Sequence, residues 1–172
     1  MSHLTATDMD RATKLSLYQI DDRCRAHAAG HQAFIMALLP EAMDQFYTHI
    51  TSYDAIRAFF TDADHIVRAK HLQSQHWALI TAANFDDVYH DSVLRVGMAH
   101  YRLGLPPKLY IASYSVLMTT LGTLIHDRYA EHFPDAPASA AFQLVQDMSR
   151  LLIYDMECAI TAYVDNTNSI YL

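Results

Sequence analysis

One imidazole stands on a face that should be apolar. His100 lies in the run RVGMAHYRLGLPPKLYIASY, residues 95–114, on a helical face shared with Val93, Val96 and Leu103. An imidazole with one nitrogen tied to a backbone carbonyl keeps the other free for a metal, the arrangement that holds haem iron from one side. Gly97 precedes it by one turn and weakens a helix by about 1 kcal/mol relative to alanine. Such a cost is accepted where something must come close, and a flat ligand lying against the helix predicts a small residue there. Taken alone, the pattern also fits a core histidine satisfied by hydrogen bonds.

Other residues could do chemistry beside it. Tyr47, in DQFYTHI, shares a stripe with Met43, Phe46 and Ile50. Its phenol can donate a hydrogen bond to a ligand that carries negative charge, or can be a core aromatic. His76, next to Trp77, reads as a structural histidine or as a sixth ligand to a metal. His27 and His31 are spaced i, i+4 and could grip a cation, but no carboxylate completes a site. A di-iron carboxylate centre needs two Glu-x-x-His pairs and two further glutamates; Glu41, Glu131 and Glu157 are the only glutamates, and none has histidine three residues on.

The elements that must position these groups are helical. Apolar residues recur at 3.6-residue spacing, and no period-2 alternation survives beyond a few residues. A short amphipathic segment near Thr5–Leu15 leads into a helix over 21–39. Pro40 is predicted to open the next one at its first position. YDAIRAFF forms a short helix, and a long one follows Asp62 or Asp64, both suitable caps. Another begins at 84–87 and runs to Gly104, which suits a left-handed cap, while Pro106 and Pro107 prevent continuation and start the next. The last two helices cover about 107–132 and 139–165. Both are apolar on more than one face, which predicts packing against the core and against a second copy. The class is all-α, one domain over residues 1–172.

Bulk composition narrows the function classes. The chain has 172 residues, 52% hydrophobic, with 4 glycines, 5 prolines and a formal charge of −7. It is too apolar for disorder, and no cluster of lysine and arginine offsets the negative balance, which argues against nucleic acid or an anionic membrane surface as partner. The N-terminus lacks the charged start and apolar core of a signal peptide. Cys24 and Cys158 form no CxxC pair and read as reduced, buried thiols. The most apolar window, 109–125, is short for a membrane span. Together these predict a soluble, cytoplasmic protein.

The pattern H-x-x-x-G-L-x-P-x-x-Y formed by His100, Gly104, Leu105, Pro107 and Tyr110, with Phe46-Tyr47 upstream and His76-Trp77 between, resembles the sensor globins of the globin-coupled sensors. The protoglobins share that fold. The resemblance runs from about His27 to Tyr163 and implies a globin fold with an extra N-terminal helix, dimerising through the two long C-terminal helices, with haem b as cofactor. It makes His100 the iron ligand, Tyr47 the distal donor to O2, Ala69 and Leu72 pocket-lining residues, and Tyr110 a neighbour of the proximal or haem-edge region; Gly97 is expected to make room for the porphyrin. Leu72 falls where some relatives carry threonine, and Leu109 where the family often has tryptophan. The implied function is reversible O2 sensing, with CO and NO as further ligands, relayed to a C-terminal output domain that the 172 residues do not contain. The alternative is a stand-alone protoglobin-like enzyme with NO dioxygenase or peroxidase activity, which would need an external electron source.

Overall fold

The computed structural model describes residues 9–169, so the start of the Thr5–Leu15 segment and the last three residues lie outside it. Among the described residues there are eight helices and no strand, as the periodicity predicts. Helices α1 (Arg11–Leu17) and α2 (Asp22–Gly30) each begin on an aspartate whose side chain accepts a backbone N–H, Asp10 from Thr13 and Asp21 from Cys24. Helix α4 (Asp54–Arg57) is a single turn. Asp62 caps α5 (Ala63–Ala82), accepting from the His65 N–H at 2.7 Å, and Asp86 caps α6 (Asp87–Leu103). Each such cap is worth about 1 kcal/mol and fixes where its helix starts.

Helix α3 (Gln32–Thr51) departs from expectation, because Pro40 lies in its interior rather than at the start of a new helix. Interior proline costs about 3 kcal/mol. Burial of Leu38, Leu39, Ala42 and Met43 around it offsets that cost. The break falls instead at His31. Its Nδ1 donates to the His27 carbonyl at 2.8 Å, and its Nε2 accepts from the Tyr129 hydroxyl at 2.9 Å. His27 in turn donates to the buried Asp147 carboxylate at 2.8 Å. These two histidines therefore hold helices together, and no group of side chains suited to a metal cluster occurs among the described residues.

Gly104 closes α6 in the left-handed conformation, φ 70°, with its N–H on the Tyr101 carbonyl and the Leu105 N–H on the His100 carbonyl. That pair of bonds is the glycine cap the sequence predicts. Pro107 then begins α7 (Pro107–His132), and α8 (Ala140–Ser169) runs for 30 residues, roughly 45 Å at 1.5 Å per residue. Helix α3 packs on α7, α6 on α8, α7 beside α8, and α5 against α3. Ile35, Leu39, Trp77, Leu117, Leu121, Ile125, Leu144 and Leu151 form the core between them. By length and composition α7 could cross a membrane, contrary to the expectation that its window is too short; here Leu117, Leu121 and Ile125 are spent on the core. Both cysteines are free and buried, and burial pushes the Cys158 thiol up to about 11, where it stays protonated.

Candidate functional site

The two halves of α5 differ in burial. His76, Trp77, Ile80 and Thr81 are buried, whereas Val67 and Leu72 are exposed by more than 60%. In the first half Ile66 and Ala69 still pack on the core, while Leu72 borders an opening, a cavity of about 650 Å³ between α3, α5, α6 and α7. That lies within the range of cofactor pockets. Phe46, Ile50, Phe59, Phe60 and Leu117 supply apolar wall, while Arg68 and Arg95 are cationic members of its lining.

His100 lines this cavity, as do Tyr47, Ala69, Leu72 and Tyr110. The His100 Nδ1 donates to the Val96 carbonyl at 2.8 Å, one turn back on α6. Its Nε2 has no hydrogen-bond partner among the described residues. Burial lowers the ring's pKa, against a smaller opposing effect of the Val96 carbonyl, so the ring is neutral at pH 7 and Nε2 keeps its lone pair. The Tyr110 ring meets it edge-on, centroids 4.8 Å apart, and limits its rotation.

Gly97 does something other than expected. A Cβ there would lie 2.4 Å from the Ala159 backbone oxygen and 3.0 Å from the Ala162 Cβ. Its missing side chain admits α8, and Gly97 is absent from the walls of the large cavity; it borders only a small crevice shared with His100, Ala159 and Ile160. A glycine on the His100 face could serve a ligand or a neighbouring helix, and the neighbour here, Ala159, lies far along the chain. Gly97→Ala should therefore lower stability by about 1–3 kcal/mol through overpacking, even though alanine is the better helix former. Urea denaturation reads this, and a rise in midpoint would show that α6 and α8 are not seated through Gly97.

Tyr47 is buried, and burial raises its phenol pKa, so it remains a donor. Its O–H donates to Gln73 Oε1 at 2.8 Å. Gln73 also lines the cavity and was not singled out by the sequence, although a polar residue one turn after Ala69 and one before His76 was the available signal.

His76 has both nitrogens occupied, Nε2 with Asp155 Oδ1 and Nδ1 with the Ser92 hydroxyl, each at 2.8 Å. A carboxylate only accepts, so Nε2 donates and Nδ1 is left to Ser92. That removes His76 as a ready second metal ligand and makes it part of a buried network. Asp155 also accepts from the Tyr89 hydroxyl at 2.8 Å and from the Tyr114 hydroxyl at 2.6 Å, joining α5, α6, α7 and α8 in the cavity wall, which His76, Ser92, Tyr114 and Asp155 all line. Burial and the Asp155 charge raise both phenols, which stay donors. His65 also lines the cavity and packs edge-on against Phe60.

A large, mostly apolar cavity lined by the unpaired His100 Nε2, the Tyr47 phenol and two arginines suits a broad, mostly apolar cofactor that carries a metal and anionic groups. Comparison with known proteins agrees. The family model described as Protoglobin matches residues 9–169. The haem-based aerotactic transducer HemAT of Halobacterium salinarum is 28% identical over 159 residues, covering 90% of this chain and 32% of that protein. The chain thus spans about a third of the length of that curated relative. Among solved structures, the globin domain of the Geobacter sulfurreducens globin-coupled sensor aligns with TM-score 0.76 at 17% identity, over 90% of this chain and 98% of that one. The ferric globin domain of Escherichia coli DosC aligns with TM-score 0.69 at 19% identity, over 87% and 99%. At these identities the structural matches establish a globin fold.

Proposed function

The chain belongs to the protoglobin family, and on that premise we propose that it is a haem-based gas-sensor domain, binding O2 reversibly and reporting it to a C-terminal output module. The observation that carries this is His100 itself: neutral, fixed by Val96, with Nε2 unpaired at a 650 Å³ apolar cavity. The residues fit haem, held without covalent attachment as haem b, since neither cysteine stands in a C-x-x-C-H motif. When bound, haem supplies an iron whose ferrous form takes O2, CO or NO. His100 would hold the metal through Nε2, and the Val96 carbonyl fixes which nitrogen carries the proton. Phe46, Ile50, Phe60 and Leu117 keep water out. Tyr47 donates its O–H to a ligand that accumulates negative charge, which favours O2 over CO.

An absorption spectrum of the purified chain tests the reading. A strong Soret band that shifts on reduction and again on O2 supports it, and its absence after growth with added haem defeats it. Slow or no NO consumption over many turnovers with a reductant separates a sensor from an NO dioxygenase.

The same reading includes a homodimer through α7 and α8. Its support is the apolar surface these helices leave open, with Ile111, Phe142 and Ile153 exposed while their opposite faces fill the core. Ile153→Glu should shift the light-scattering mass from twice 19.5 kDa toward 19.5 kDa while haem uptake stays unchanged. Leu152, next to it, is buried and would report on the fold instead. A wild-type mass of one chain at high micromolar concentration removes the dimer.

A further inference from the structure

The hydroxyl assigned to the gas ligand already has a partner. Tyr47 has one O–H hydrogen, and it is committed to Gln73 Oε1 at 2.8 Å. Neither the hydroxyl nor the Gln73 amide oxygen has another hydrogen-bond partner among the described residues. The ring cannot easily swing away to serve a ligand. Phe46 and Phe60 pack edge-on against it at 5.1 and 5.8 Å, and the Lys70 ammonium, itself paired with Asp44, sits 5.6 Å from its centroid. Only the hydroxyl hydrogen and the glutamine amide are free to turn.

A carboxamide can answer that constraint in two ways. Its oxygen accepts and its nitrogen donates, and rotation of the terminal torsion exchanges them. If the Tyr47 hydrogen turned to a ligand while the amide stayed still, the Gln73 oxygen would lose its partner and face the phenolic oxygen. An unpaired group of this kind weakens binding by about tenfold or more. With the amide turned, Gln73 Nε2 donates to the Tyr47 oxygen, and every group is paired again.

We propose that Gln73 is a positioning residue for gas binding, accepting from Tyr47 when no ligand is present and donating to it when the hydroxyl serves the ligand. This rests on the haem-sensor reading above. Glutamate has the same shape but, ionised, can only accept; leucine can do neither. The two substitutions should therefore diverge.

The test uses haem-loaded full chain at pH 8, well above the ordinary glutamate pKa of about 4.3, with stopped-flow dissociation of O2 and CO. In Gln73→Glu the hydroxyl stays locked on the carboxylate. O2 should leave about tenfold to a hundredfold faster, matching Tyr47→Phe, while CO changes far less. In Gln73→Leu the hydroxyl is released to the ligand, and O2 should leave about tenfold or more slower than from Gln73→Glu. Adding Gln73→Glu to Tyr47→Phe should change nothing further. Ultraviolet resonance Raman of the tyrosines in ligand-free protein gives a reading independent of gas kinetics: Gln73→Leu should lose the signature of one phenol donating to an amide oxygen. Equal effects of glutamate and leucine, a wild-type O2 rate in Gln73→Glu, or an effect persisting in the Tyr47→Phe background overturns the proposal while leaving haem sensing intact. Failure of the wild-type chain to take up haem overturns both.

Discussion

His100→Gly purified from haem-supplied cells should carry little haem, and external imidazole should restore it. Substitution of groups that merely orient a metal ligand costs about 10–100-fold in metal affinity, so loss of the ligand itself should accelerate haem release by at least about 100-fold. Among the described residues, the two other histidines that line the cavity are engaged elsewhere. His76 has Ser92 and Asp155 on its two nitrogens, and His65 sits at the opposite end of α5 with its ring against Phe60. Imidazole rescue separates a missing ligand from a damaged fold, because only the first is repaired by a diffusible ring. Haem transfer to an excess of a haem-scavenging apoprotein gives the rate. A variant that keeps a full complement of haem and an unchanged ferrous spectrum would take His100 out of the site.

His100 was readable from sequence because its signal is local. An imidazole on an apolar helical face, followed by Gly104, Leu105, Pro107 and Tyr110 at fixed offsets, needs no distant residue to be noticed. Helix starts at Asp62 and Asp86, and the stop at Gly104, were local in the same way, since a cap acts on N–H or C=O groups a few residues off. What the sequence hid is what depends on a neighbour far along the chain. Pro40 reads as a helix start until the burial of the residues around it is known, and the true break at His31 is secured by Tyr129, 98 residues away. Gly97 reads from sequence as room for a flat ligand, and only the position of Ala159 shows that it admits α8 instead. Gln73 acquires meaning from Tyr47, 26 residues before it. Asp155 sends a charge into an otherwise apolar stripe with Leu151, Leu152 and Ala159, a warning sign in itself, but its partners come from three other helices.

Asp155→Ala should produce the largest loss of stability of any single substitution among the polar residues of the cavity wall. The Asp155 carboxylate is 1% exposed and accepts from His76, Tyr89 and Tyr114. Removing it leaves three buried donors without an acceptor, each costing about 1–3 kcal/mol. Relief from burying the carboxylate offsets part of the sum, and roughly 3–5 kcal/mol is the expected net loss, as for other buried charges deprived of a partner. That is a third or more of the 5–15 kcal/mol typical of a whole domain. Asp155→Asn should fall between alanine and wild type: its amide oxygen can still accept, but its NH2 meets a donor where Oδ2 met Tyr114. The exposed Asp87, paired with Arg11 at the surface, gives the control, and Asp87→Ala should change stability by less than about 1 kcal/mol. Urea denaturation of all three variants in the haem-free state isolates the fold from the cofactor. Should Asp155→Ala unfold at the wild-type midpoint, the network is ornamental to folding and the wall it belongs to must be held by packing alone.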